Sequence, residues 1–273
     1  MRDTSTTSLR HSGSDTLFVN SIEKGFCILD AFRQGQRTLG LRDLSLKDIS
    51  ELTGLDKSAV QRFTNTFVIL GYLEKDPHTR RYSPANRMVD FYYTYLISNR
   101  IAEIAMPRLI EASRVYDTTV NLCELSGSDL SYIIRIPHEK AAYRATLPGR
   151  RIPAFYTAGG MVILAGLPPE EAKLILDASD LKPATKWTIT DRTEINARLE
   201  QARKNGYDIG IQQSLPQEIS TAAPVLDNDG KAIAAIQIPV YMPRWNYDQV
   251  VEKIVPLALE TARMISGSLH GEA

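Results

Sequence analysis

Cysteine is nearly absent: two residues, Cys27 and Cys123, in a chain of 273. A disulfide-stapled secreted scaffold is therefore excluded, and two buried free thiols of a reducing compartment are expected. Only four histidines occur, His11, His78, His138 and His270, and none has ligand spacing with Cys, Asp or Glu. That argues against a metal site, and no metal ligand is assigned. No apolar run approaches the ~20 residues of a membrane span, and the Ser/Thr-rich N-terminus lacks the apolar core of a secretory signal. Neither sign of charge dominates, with 32 basic and 32 acidic residues. There is no Walker-type loop, no GxGxxG, no nucleophile elbow and no HExxH, so no catalytic residue and no cofactor is assigned.

What is present is a chain long enough for two domains, with 43% hydrophobic residues. Residues 1–16 read as a disordered tail. Asn20 and Glu23 have capping-box spacing, and Ile22, Phe26, Leu29 and Phe32 form the apolar stripe of a first helix. A second helix begins near Ser45 and turns inward Leu46, Ile49 and Leu52. Gly54 permits a sharp turn, and Asp56 caps a third helix. On that helix Val60, Phe63, Phe67 and Leu70 recur at three- and four-residue steps. Ser58, Gln61, Arg62 and Asn65 fall on the opposite face, with Lys57 in the first turn. Tyr72–Lys75 and Arg80–Ser83 read as strands around the turn residues Asp76-Pro77-His78-Thr79.

Helix, glycine turn, amphipathic helix and hairpin make a winged helix-turn-helix, a reader of double-stranded DNA. Arg62 can pair with a guanine edge or a phosphate, and Gln61 and Asn65 can pair with adenine. Lys57, Ser58, Arg80 and Arg81 are placed for the phosphate backbone. From Lys57 to Arg87 there are six basic and two acidic residues. Positive charge thus gathers on the segment expected to meet phosphate. An amphipathic surface helix with no DNA role is the alternative.

Residues 85–99 read as a linker helix, with Met88, Phe91, Tyr92, Tyr95 and Leu96 on its apolar side. Its aromatics suit either core packing or a subunit interface. Another helix runs from about Ile101 to Tyr116. The pattern then changes to an α+β domain. Strands are expected at Thr118–Leu125, Leu130–Pro137, Ala142–Leu147, Tyr207–Gln212, Ile219–Leu226 and Ala232–Val240. Helices are expected from Thr157, from Pro168-Pro169, from Asp191 to about Lys204, and from Asn246 to about Ser266.

The chain resembles the IclR family of bacterial transcriptional regulators. The resemblance rests on Ser21-Ile22-Glu23-Lys24-Gly25, the helix-turn-helix Ile49–Gly71, and Gly149-Arg150-Arg151-Ile152-Pro153-Ala154. Leu164-Ala165, Gly206-Tyr207 and Ala222-Ala223-Pro224-Val225 with Gly230 complete the pattern, which spans about Phe18 to Ser266. Phe18-Val19-Asn20-Ser21 and the Tyr-rich linker look most like the branch regulating aromatic-acid catabolism. The resemblance implies a winged helix-turn-helix (17–83), a linker helix (84–99), a C-terminal GAF-like effector-binding domain (100–267) and a tail (268–273). It implies a bacterial cytoplasmic homodimer or tetramer on a near-palindromic operator. A small organic or aromatic acid would be the effector, and contact with RNA polymerase is a further family property.

Carried over by position, the effector pocket would include Gly159 and Gly160, whose N–H groups can face a carboxylate, with Ile211, Ser220, Gln237 and Pro239. Arg135 matches a strand arginine of the aromatic-acid branch; pairing with Glu139 is its alternative. The family's basic residue after the glycines is Met161 here, its acidic pair is Ile211-Gln212-Gln213, its Gly-Leu-Arg is Gln217-Glu218-Ile219, and one serine is Pro239. These departures imply a more apolar pocket and an aromatic effector, lined by Tyr143, Phe155, Tyr156 and Tyr241 unless these are plain core. Two rival readings remain open: an enzyme on the GAF-like domain, or a protein-interaction module with a winged helix that does not bind DNA.

Overall fold

The computed structural model describes residues 17–137 and 147–270. The chain divides into two compact units, one ending at Ser98 and the other beginning at Asn99.

The N-terminal unit contains α1 (Asn20–Leu39), α2 (Leu46–Thr53), α3 (Lys57–Ile69), a hairpin of β1 (Leu73–Lys75) and β2 (Tyr82–Pro84), and α4 (Met88–Ser98). Ser45 caps α2 in a reciprocal box with Asp48, and Asp56 caps α3 by accepting from the Ala59 N–H. Gly54, at φ 72°, takes the left-handed conformation the turn between α2 and α3 requires. Ile28, Ala31, Phe32, Leu44, Ile49, Val60, Leu73 and Tyr82 form the core of this unit.

Three expectations fail in α1. Its N-cap is Val19, with no side-chain cap, so Asn20 and Glu23 make no capping box. The buried stripe is Ile28, Ala31 and Phe32, whereas Ile22 and Phe26 are 58% and 62% exposed. Cys27 is exposed as well, and only Cys123 is buried. The physical reason is the face presented: Gly25, Ile28, Ala31 and Phe32 are buried positions, with Gly25 against Phe63 and Phe67 of α3, and Ile22 and Phe26 fall outside that face. Leu70 is also exposed, at the C-cap of α3, and Thr64 takes the inward position instead.

The C-terminal unit begins with α5 (Arg100–Val115). Its single antiparallel sheet contains β3 (Val120–Ser126), β4 (Asp129–Ile136), β5 (Arg151–Pro153), β6 (Asp208–Ile211), β7 (Glu218–Leu226) and β8 (Ala232–Tyr241). Spatial order is β5-β4-β3-β8-β7-β6. Between strands run α6 (Ala158–Ala165), α7 (Pro169–Asp177) and α8 (Arg192–Asn205). After β8 come α9 (Tyr247–Gln249), a π turn at Val250–Ile254, and α10 (Val255–His270). Pro256 has no N–H to continue an α ladder, which suits the wider turn just before it. This is the GAF-like α+β layout. Strand β5 was not anticipated, and the strand expected at 142–147 lies mostly outside the described residues.

Alternation assigns the two sheet faces. Cys123, Leu130, Tyr132, Ala222 and Ala235 pack in one core with the wholly buried α6. Leu122 and Ile236, paired in register, take the opposite face. On that side the Leu226 N–H donates to Ser266 Oγ of α10.

Candidate functional site

On α3, Lys57, Ser58, Gln61, Arg62 and Asn65 are all exposed, while Val60 and Thr64 face the core. The Ser58 hydroxyl donates to Asp56 Oδ1 at 2.6 Å, and this bond leads in holding the Asp56 carboxyl below the usual range. Ser58 thus also rigidifies the helix N-terminus. At the hairpin tip Arg80 is exposed and left-handed, at φ 56°. A non-glycine residue pays strain there, so the hairpin holds a cation where glycine would sit more easily.

Arg81 plays another part. Its guanidinium bonds Asp43 through Nε and Asp48 Oδ2 at 2.9 Å, and also reaches the Asp43 carbonyl. It ties the hairpin to the start of α2. Two carboxylates already answer its charge, so it is a positioning residue more than a free phosphate ligand. Sequence could not show this, because Asp43 lies 38 residues away.

The second constellation is on the α6-facing side of the sheet. Asn121 pairs in register with Arg135 on β4 and Gln237 on β8, and Gln237 with Ala222 on β7. One step further, Ser220 opposes Pro239 and Glu218 opposes Tyr241. Arg135, Asn121, Gln237, Ser220 and Glu218 therefore share one face. A bulge in the β3–β4 pairing beside Cys123 brings Arg135 onto it. The Arg135 guanidinium carbon lies 4.4 Å from the Tyr132 ring centroid.

The expected glycine contacts are taken within the protein. Gly159 N–H donates to Gln237 Oε1 at 3.3 Å, and Gly160 N–H to Thr157 Oγ1 at 3.1 Å. Gln237 Nε2 in turn donates to the Tyr132 hydroxyl at 3.1 Å. The two glycines serve close approach. A Cβ on Gly159 would lie 2.7 Å from Gln237 Oε1, and one on Gly160 would lie 2.2 Å from the Ala154 carbonyl oxygen. Gln237 is thus a strut between α6 and the sheet. Pro239 needs no N–H partner from β3, whose pairing with β8 ends at Gln237.

Other placements also differ from expectation. Tyr156 and Phe155 belong to the core, their rings edge-to-face at 5.0 Å. Ile211 opposes Ile219, the other parity from Ser220, so it is not on the Ser220 face. It lines a separate open cleft of about 340 Å³ with Arg198, Asn205, Tyr207 and Tyr247. In that cleft Arg198 and Asp208 satisfy each other through two hydrogen bonds. Tyr143 and Glu139 lie outside the described residues.

What the α6-facing site leaves open is polar. Asn121 Nδ2 and Oδ1, Ser220 Oγ and Arg135 Nε are buried with no hydrogen-bond partner among the described residues. Such groups are uncommon and costly, and each calls for a partner from outside the chain, an ordered water or a ligand. Glu218 is buried too, and its carboxylate Oε2 accepts from the Tyr241 hydroxyl at 3.3 Å. Desolvation pushes its carboxyl above the usual range, and the same effect pushes Tyr241 up to about 12.

Comparison with known proteins joins the two constellations. A model of the IclR helix-turn-helix domain matches residues 21–77, and one of the bacterial transcriptional regulator IclR C-terminal domain matches 93–267. The chain belongs to the IclR family of bacterial transcriptional regulators. The Pca regulon regulatory protein of Pseudomonas putida is 28% identical, over 94% of this chain and 86% of its own length. The p-hydroxybenzoate hydroxylase transcriptional activator of Acinetobacter baylyi is 25% identical, over 90% of each chain. The crystal structure of Thermotoga maritima IclR superposes with a TM-score of 0.68 at 25% identity, covering 92% of this chain and 98% of that one. In this IclR-family regulator the α3 face belongs to the DNA-binding domain, and the α6-facing sheet surface to the effector-binding domain.

Asn121 was not anticipated as a site residue. One signal could have found it: a lone amide in the buried run Val120-Asn121-Leu122-Cys123, mirrored by Gln237 between Ile236 and Ile238.

Proposed function

We propose that this regulator controls a catabolic operon in response to a small aromatic or organic acid bound on the α6-facing side of the sheet, between Arg135 and Ser220. The unpartnered polar row of Arg135, Asn121 and Ser220 carries this reading. Arg135 supplies the charge complement for a carboxylate, and Tyr132 beneath it fixes the guanidinium plane. The names of the Pseudomonas and Acinetobacter relatives support an aromatic acid.

Operator DNA is read by Gln61, Arg62 and Asn65, with Lys57, Ser58 and Arg80 on phosphate. The protein acts as a homodimer or a dimer of dimers on a near-palindrome, with half-sites one or more helical turns apart. Large apolar side chains stay exposed on α4 (Val89, Phe91, Tyr93 and Ile97) and on α1 (Ile22 and Phe26). A second copy would cover them. The effector acts by binding one arrangement of the dimer more tightly than the other, changing operator affinity or contact with RNA polymerase. The protein works as a cytoplasmic regulator without turnover of its ligand. No described helix is long and apolar enough to cross a membrane.

The test is a mobility-shift titration of its own promoter DNA with and without aromatic carboxylates. Wild type responds, and Arg135→Gln binds DNA as before but no longer responds. An equal response in both proteins removes Arg135 from the site.

A further inference from the structure

The side-chain amides of Asn121 and Gln237 face each other across β3 and β8, but only one is satisfied. Gln237 is turned toward Gly159 and the Tyr132 hydroxyl, and bonds both. Asn121 is fully buried, and neither its Nδ2 nor its Oδ1 has a partner among the described residues. It shares the α6-facing side with Cys123, two residues on, and stands in register between Arg135 and Gln237.

We propose that Asn121 reads a hydroxyl group on the effector, so that the site takes a hydroxylated monocarboxylic acid in preference to its unsubstituted parent. This rests on the effector site proposed above. An amide presents a donor and an acceptor side by side. A carboxylate offers acceptors only and would leave Oδ1 against negative oxygen. A ring C–H edge answers neither atom. A hydroxyl donates to Oδ1 and has lone pairs for Nδ2, and two adjacent hydroxyls can engage both atoms at once. The carboxylate then belongs to Arg135, the cation beside Asn121, whose Nε is likewise unpartnered. Ser220, on the same face beyond Gln237, supplies a further hydroxyl to the ligand. Burial favours the neutral form of the Glu218 carboxyl, which lessens the repulsion that end of the row would offer an anion.

A site built to bond a hydroxyl rejects the ligand that lacks it, because its own buried groups are left unpaired. The experiment is calorimetric titration of full-length wild type, Asn121→Leu and Asn121→Ala with benzoate, 4-hydroxybenzoate and 3,4-dihydroxybenzoate. Wild type is expected to bind at least one hydroxylated ligand on the order of tenfold or more tighter than benzoate. In Asn121→Leu that ratio falls to near one, through loss of the hydroxylated ligand and with benzoate binding kept. Asn121→Ala gives the same answer should the leucine variant fail to fold. Three results overturn the role of Asn121 and leave the site standing. They are a wild-type ratio near one, a ratio that survives both substitutions, and equal weakening of all three ligands. A wild type that binds none of the three overturns the aromatic-acid reading itself, and this inference with it.

Discussion

Two buried amides in register should respond in opposite directions to the same change. Gln237→Leu strips the partner from the Gly159 N–H and from the Tyr132 hydroxyl, both deep in the core. Leaving a buried polar group unpaired costs about 1–3 kcal/mol, so two cost about 2–6 kcal/mol. For a domain of this size each kcal/mol moves Tm by about 2–4 °C, so the drop should reach at least about 4 °C. Asn121→Leu has a similar volume and removes two polar atoms that bond nothing among the described residues. Relieving that desolvation should stabilise the ligand-free protein, by about 1–3 kcal/mol. Trp187 and Trp245, the only tryptophans, both lie in the C-terminal unit, so fluorescence-detected urea unfolding reports on the right half of the chain. If both variants lose stability by similar amounts, Asn121 is satisfied in the ligand-free protein, and the distinction between the two amides is wrong.

Arg62→Ala should weaken operator binding by about 1–3 kcal/mol if the guanidinium reads a base. Arg81→Ala should lower thermal stability of the N-terminal unit and leave the salt dependence of DNA binding nearly unchanged, since Asp43 and Asp48 already neutralise that charge; a slope reduced by about one would return Arg81 to the phosphate contacts. Gly160→Ala meets backbone at the Ala154 carbonyl, so it should unfold or markedly destabilise the C-terminal unit in circular-dichroism melts. Glu218 gives a pH dependence. Its folded-state pKa is raised, so the native state holds more protons than the unfolded one, and stability falls as pH rises from the ordinary glutamate range through the raised value. Glu218→Gln should flatten that slope. Tyr241, pushed up to about 12 by burial, lies above this window, and Arg135 and Arg150 only oppose the upward shift. A variant with the wild-type slope assigns the dependence elsewhere.

Local sequence settled the elements whose causes are local. Ser45, Asp56 and Asp191 cap their helices because a cap is a bond to an N–H two or three residues away. Gly54 and Gly206 end helices because a left-handed residue is needed at those points, and the exposed set on α3 follows from a period of 3.6. The family was legible for the same reason, as an ordered run of short motifs. Only tertiary structure could show that Gln237 already occupies the Gly159 N–H, that Arg81 is spent on Asp43 and Asp48, and that Asn121, Ser220 and Arg135 stand together without partners. Each of those facts is the presence or absence of a bond between residues far apart in the chain. Capping and periodicity carry no information about such bonds. They are decided by tertiary packing, and in the C-terminal sheet by strand register and the bulge beside Cys123, which set the polar groups that meet a neighbour and those left to meet a ligand.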